Sequence, residues 1–304
     1  IPISEIILLD RERCILCARC TRFSDEISGD PLIEFIQRGN KTEVNTFPDE
    51  PFRSYFSGNT VQICPVGALT STSYRFKARP WDLKKVSSTC NCCSVGCSIE
   101  LNTSQNKMLR ILGEDNEFTN QGWLSDKGRY NFDYLHSENR VLNILNKSED
   151  SFNEISISEA MAKIKNKIDE LDNPNVKFLL GSSSTNEEYF VINEIGNYLN
   201  KDKFLSRDSS NIYFGDDLLF EGYFGDQYSQ AKLEDLDNSE TIVVWAEDIK
   251  DNLPILYLRI KKAVKNGSKL IVFGHTNTSI AGLADFYFGG DIVSNKFELI
   301  RNPN

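Results

Sequence analysis

All eight cysteines of this chain lie before residue 98, and four of them, Cys14, Cys17, Cys20 and Cys64, share one pattern. It runs Cys-x2-Cys-x2-Cys, then 43 residues, then Cys-Pro, within RERCILCARCTRF and VQICPVGALTS. Three thiolates two residues apart can wrap one side of a cubane, and a fourth from a distant loop closes the other side. The spacing therefore predicts a 4Fe–4S cluster and an electron carrier. A fourth cysteine only three residues on would instead serve a neighbouring cluster, as in two-cluster ferredoxins. Arg13, Arg19 and Arg22 flank the triplet and offset the charge of a tetrathiolate cluster, which raises its potential. Zinc also takes paired thiolates; ligand softness and spacing favour iron–sulfur over it. CxxC pairs point to metal or redox use more than to disulfides.

The elements that must position these thiols differ along the chain. Residues 1 to 88 carry turn signals at Ser28-Gly29-Asp30-Pro31, Arg38-Gly39-Asn40 and Ser57-Gly58-Asn59 and few periodic runs. Such a segment is expected to draw folding energy from its cluster. A second group, Cys90, Cys92, Cys93 and Cys97, follows. The alternating runs Ser98 to Leu101 and Met108 to Leu112 predict a small antiparallel sheet around it.

From about residue 155 the pattern turns α/β. Ser156 and Glu159 make a capping-box signature, and Met161, Ile164, Ile168 and Leu171 follow at helical spacing, as a core stripe. Strands are expected at Val176 to Leu180, Thr241 to Trp245 and Lys269 to Phe273, with helices from about Glu187 to Leu199 and from Pro254 to Lys265. Pro254 suits a first helical position. Strand, helix, strand in that order implies a parallel pair with a right-handed crossover. Ser182 to Ser184, after a strand, could cradle a phosphate, although turn and cap chemistry accounts for such a run. His136 reads as a surface residue and His275 as a loop residue rather than as ligands. No Ser/His/Asp triad, GxGxxG loop or carboxylate pair stands out, so nothing indicates hydrolysis.

A length of 304 residues allows about two domains with their own cores. No apolar run approaches the length of a membrane span, so any membrane association comes through partners. The net charge of −10 is uneven, +1 over residues 1–89 and −11 over 90–304. An acidic surface repels phosphate backbones, which argues against nucleic acid as a partner. The chain starts without Met, at IPISEIILLDRERC, and is expected to be a fragment of something longer.

DRERCILCARCTRF, the Arg38-Gly39-Asn40 triplet, FSGNTVQICPVGALTS and YRFKARPWDL together resemble the large iron–sulfur subunit of respiratory complex I, the proton-pumping NADH:quinone oxidoreductase. The resemblance spans the chain and is most specific over residues 8 to 83. It implies that Cys14, Cys17, Cys20 and Cys64 hold a 4Fe–4S cluster on the path from flavin to quinone. It implies as partners the NADH/FMN-binding subunit and the quinone-side iron–sulfur subunits, and a peripheral place on the cytoplasmic face of a bacterial plasma membrane. The family's upstream 2Fe–2S domain and its site of one His and three Cys are not in this sequence.

The second group, Cys90-x2-Cys93-x3-Cys97, then 27 residues, then Ser125, resembles the 4Fe–4S module at the front of molybdopterin enzymes. A cysteine is expected where Ser125 stands, and serine oxygen is a poor substitute on iron. Three readings stay open: a cluster with Ser125 or water on the fourth iron, a cluster recruiting Cys92, or buried cysteines without a cluster. One 4Fe–4S cluster is thus expected and a second is possible.

Residues 150 to 304 resemble the molybdopterin oxidoreductase domain, most clearly in LPILYLRIKKAVKNGSKLIVFG. The implied fold is an α+β cluster-binding front end followed by an α/β molybdopterin-oxidoreductase-like domain with a mostly parallel sheet. The expected boundaries are 1–88, 89–146 and 147–304. With no cysteine after Cys97, neither molybdenum nor tungsten is expected, and no catalytic residue is assigned. The alternative is a molybdenum- or tungsten-dependent oxidoreductase such as an NAD-linked formate dehydrogenase.

Overall fold

The computed structural model describes residues 1–47, 50–148, 151–170, 178–181, 184–199, 205–207, 231–275, 278–291 and 296–301. The chain forms two compact units, Ile1–Ser137 with Gln230–Asn304, and Glu138–Ser229.

In the first unit, β1 (Ile7–Leu9) leads into the cysteine loop and a short α1 (Arg19–Arg22), which continues as π-helical turns over Phe23–Ser28. An antiparallel pair follows, β2 (Glu34–Ile36) with β3 (Glu43–Asn45), then α2 (Gly58–Ile63) and β4 (Leu69–Ser71). β4 returns antiparallel to β1, with Ile7 opposite Ser71. Ile7, Leu9, Ile33, Val44, Phe52 and Leu69 form its buried core. Each such side chain contributes roughly 1.5–3 kcal/mol on burial.

The expected small sheet is present: β5 (Lys84–Thr89), β6 (Ser98–Ser104) and β7 (Lys107–Gly113) are antiparallel in that order. The β6–β7 reversal places Gln105 and Asn106 at φ 48° and 60°. Positive φ at both central residues is the turn that matches the twist of a two-residue hairpin. A single turn of helix, α3 (Asp126–Tyr130), closes this module.

The two modules are stitched by polar side chains. Asn59 on α2 donates to the Leu124 carbonyl (2.8 Å) and accepts from the Leu124 N–H (3.1 Å). Asp126 accepts from the Ser57 N–H, the Ser57 hydroxyl and the Gly58 N–H at 2.9, 2.6 and 2.7 Å. Buried Arg129 donates to Asn59 Oδ1 (2.9 Å) and to the Ile111 carbonyl (3.2 Å). Only glycine fits at position 58, where an added Cβ would lie 2.4 Å from Arg129 Cδ.

The second unit holds the antiparallel pair β8 (Leu145–Lys147) and β9 (Phe152–Glu154), α4 (Ile157–Asp169), β10 (Phe178–Leu180), α5 (Asn186–Leu199) and β11 (Leu205–Arg207), which pairs parallel with β10. Ser156 Oγ accepts from the Glu159 N–H and starts α4 where the sequence places it. Of the expected core stripe on α4, Met161 and Ile164 are 61% and 54% exposed and Ile168 is half-buried. Leu171, Ser182 and Ser183 lie outside the described residues.

The end of the chain rejoins the first unit. β12 (Thr241–Trp245), α6 (Ile249–Asn252), α7 (Pro254–Lys265), β13 (Lys269–Gly274), β14 (Phe286–Asp291) and β15 (Lys296–Arg301) follow. β12, β13 and β14 are parallel neighbours, and β15 lies antiparallel to β14. Pro254 opens α7 because its missing N–H needs no partner there. Gly267, at φ 110°, ends it. Ile255, Leu258, Leu270 and Val272 share one core with Phe23, Phe56, Cys97, Ile99 and Leu124. Polar ties add direction: Lys250 Nζ lies 2.6 Å from Asp30 Oδ1, and Arg259 donates to the Glu117 and Thr119 carbonyls. Among the described residues no helix is long and apolar enough to cross a membrane.

Candidate metal centre

The front thiols owe their placement to two local devices. Three cysteines spaced by two on a regular helix would point outward along a drifting stripe. Instead Leu16 and Ala18 adopt φ 53° and 63°, on either side of Cys17, so the loop curls before α1 begins. A left-handed non-glycine residue costs roughly 1–2 kcal/mol, and such outliers gather where a ligand is held. The second device is Pro65, whose ring disfavours helical backbone at the preceding residue. Cys64 accordingly caps α2 in an extended conformation, φ −67° and ψ 113°.

Cys14, Cys17, Cys20 and Cys64 line one cavity with Leu9, Val44, Ala68 and Leu69. Cys17 is exposed and the other three are half-buried. Burial, reinforced by Cys14 and Cys17, pushes the Cys20 thiol up to about 11, although the Thr21 N–H favours its thiolate. Metal binding must displace that proton. Among the described residues no three His, Cys, Asp or Glu side chains meet closely enough to hold a single ion. Sulfurs on one zinc would stand within about 4 Å of each other, since each Zn–S bond is about 2.3 Å. A cubane takes one thiolate on each of its four irons, and four thiols line this cavity. The donor set fits a cluster.

The second group is built differently. Cys90 and Cys97 are buried, Cys92 and Cys93 half-buried, and the Cys90 N–H donates to the Cys97 carbonyl at 2.8 Å. Burial first, and then the neighbouring cysteines, push Cys97 up to about 12, and burial pushes Cys90 up to about 11. Cys92 Sγ instead donates to the Lys127 carbonyl at 3.7 Å. Ser125 stands beside this group: a Cβ on Gly128 would lie 3.0 Å from Cys90 Sγ and 3.5 Å from Ser125 Oγ. Its hydroxyl caps α3, accepting from the Gly128 N–H at 3.2 Å. Ser125→Ala is therefore expected to cost about 1 kcal/mol of stability and leave iron content unchanged. Denaturant midpoint and iron analysis check this, and lost iron would show that the hydroxyl serves as a ligand.

His136 Nε2 accepts from the Met108 N–H, and His275 is exposed beyond β13. Neither joins a thiol group. Sequence reasoning missed the cluster of arginines that shares a wall with Cys64, where Arg13, Arg75, Arg79 and Arg110 line a cleft. The one hint was YRFKARPWDL, which carries three cations, Arg75, Lys77 and Arg79, within five residues.

Residues 4–70 match the family model of the NADH-quinone oxidoreductase subunit 3 ferredoxin-like domain, an iron–sulfur class of module, and residues 97–294 match that of molybdopterin oxidoreductase. An NADH-quinone oxidoreductase subunit of Mycobacterium bovis is 58% identical over 134 residues, covering 44% of this chain and 17% of the relative. NADH-quinone oxidoreductase subunit 3 of Thermus thermophilus is 33% identical over 267 residues, covering 87% of this chain and 32% of the relative. The chain thus spans a third or less of these curated relatives. Among solved structures, Acetylene Hydratase from Pelobacter acetylenicus aligns at 17% identity and a TM-score of 0.48, over 67% of this chain and 29% of that one.

Proposed function

Because the chain belongs to the molybdopterin oxidoreductase family, and its relatives are NADH-quinone oxidoreductase subunits, we propose that it is an electron-transfer iron–sulfur subunit of an NADH:quinone oxidoreductase. Electrons pass from NADH and FMN towards quinone through one 4Fe–4S cluster on Cys14, Cys17, Cys20 and Cys64. The observation that carries this reading is that these four thiols line one cavity within the segment that matches the ferredoxin-like model.

A bound 4Fe–4S cluster supplies a reversible one-electron carrier. The chain supplies everything around it. Leu9, Val44, Ala68 and Leu69 line the apolar side of the thiol cavity, and Arg19, which also lines it, offsets negative charge on the reduced site. Cys90, Cys93 and Cys97 offer three thiols for a second cluster off this path. The motif boundaries at 88 and 146 mark ancestral modules, the last an α/β domain with a mostly parallel sheet. The partners are the NADH/FMN-binding subunit and the quinone-side iron–sulfur subunits, at the cytoplasmic face of a bacterial membrane.

The rival, a molybdenum or tungsten enzyme, draws on the family match over 97–294. A thiol ligand for such a metal is missing from the α/β region, since no cysteine follows Cys97. Elemental analysis of the assembled complex separates the two. Iron without molybdenum or tungsten is expected; a stoichiometric amount of either metal, with pterin released on denaturation, favours the rival.

A further inference from the structure

Next to the thiol cavity lies a second, larger cleft of about 870 Å3, and Cys64 and Leu69 belong to the walls of both. It opens between α2, the segment following β4, β7 and α3. In a chain of net charge −10 it is strongly basic: Arg13, Arg75, Arg79, Arg110 and Arg129 line it against one acid, Asp82.

Not all of that charge is free. Arg129 is spent on Asn59 and the Ile111 carbonyl, and Arg110 donates to Asn102 and lies over the Tyr74 ring at 4.5 Å. Arg13 and Arg75 share a single carboxylate, Asp10, at 3.1 and 3.9 Å. Arg79 is exposed, and its guanidinium has no ion-pair or hydrogen-bond partner among the described residues. Cations therefore exceed the local carboxylates.

The rim adds apolar surface. Phe76 is 89% exposed and Trp81 79% exposed, on the same segment as Arg75 and Arg79. Phe76 holds φ 65°, a genuine outlier for a bulky residue, and Arg75 lies over its ring at 4.9 Å. Uncovered aromatics interleaved with arginine are the composition of protein interface cores and their hot spots.

We propose that this cleft and its aromatic rim are the docking groove for an acidic, extended polypeptide segment of a partner protein. Carboxylates of that segment take charge-assisted hydrogen bonds from Arg75 and Arg79, which match carboxylate geometry in pairs. Its apolar side chains cover Phe76 and Trp81. A small anion inside the cleft would satisfy the arginines and leave the Trp81 ring in water, since Trp81 lies outside the cleft wall. A polypeptide running over the rim covers both rings. Through the shared Cys64, the docked segment also lies against the thiol cavity; that consequence alone rests on the electron-relay reading.

The test uses the assembled oxidoreductase complex and a zero-length carbodiimide, which joins amines to carboxylates in contact. Native Lys77, and the amine introduced by Arg79→Lys, are expected to link to Asp or Glu of another polypeptide, identified by mass spectrometry. Arg75→Glu with Arg79→Glu is expected to lower retention of that polypeptide at least tenfold, as raised salt does. If the double variant fails to assemble, Trp81→Ala is the second probe and is expected to lower retention likewise. Links only to this chain's own carboxylates, or unchanged retention in the variants, would overturn the proposal. Protection of position 79 by millimolar inorganic pyrophosphate without any link to another polypeptide would also overturn it, in favour of a small-anion site. Iron content, measured in parallel, keeps the two readings apart, because the groove can fail while the cluster remains intact.

Discussion

Cys17→Ala is expected to remove one 4Fe–4S signal from the reduced spectrum of the complex and to lower NADH-to-quinone electron flow by more than about 100-fold. That exceeds the 10–100-fold typical of losing a group that only orients a metal ligand, because here one corner of the cubane loses its thiolate. Cys17 is the informative position. It is the exposed member of the four, so removing its sulfur leaves no void in the apolar core, and the two left-handed residues beside it show that the loop is bent around this site. Since metal binding also contributes folding energy, the variant should unfold at lower temperature as it loses iron. An unchanged spectrum with full activity would sink the assignment of this cavity.

Asp126→Ala should produce the largest loss of stability, on the order of 4 kcal/mol, because charge-assisted hydrogen bonds are worth about 1.5–3 kcal/mol each and buried donors left unpaired add their desolvation cost. Three donors converge on this one carboxylate: the Ser57 N–H, the Ser57 hydroxyl and the Gly58 N–H. Burial pushes the Asp126 carboxyl above its ordinary range, while these donors and Arg129 pull it back. Removing the carboxylate leaves Arg129, whose guanidinium burial disfavours as a cation, without that compensation. The effect reaches α2 and therefore Cys64. Chemical denaturation measures the loss, and a change within about 0.5 kcal/mol, the range of an ordinary surface substitution, would show that Asp126 does not hold the modules together.

Both results bear on what could be read from the chain. Local patterns settled local structure. The helix expected from Pro254 to Lys265, with proline at its first position, is α7 at those bounds, and the strand expected over Thr241 to Trp245 is β12. Cys-x2-Cys-x2-Cys and Cys-Pro marked four candidate ligands, because cluster chemistry depends on spacing and on the backbone restriction that proline imposes. Ser125 was legible as a missing thiol but not as a cap, since capping depends on where α3 begins. The stripe on α4 shows the opposite limit: helical period fixes a face, and whether that face is covered is a property of its surroundings.

The hold of Asn59 and Arg129 across the two modules and the basic cleft were decided by the tertiary structure alone. Arg13, the stretch holding Arg75 and Arg79, and Arg110 come from three separate segments. No short-range rule couples such residues, because only the packing of β4, β7 and α3 brings their backbones together. Sequence by itself determined which residues could do chemistry, through spacing and side-chain type; the fold decided which of them share a cavity, because contact between distant segments is fixed by the burial of a common core.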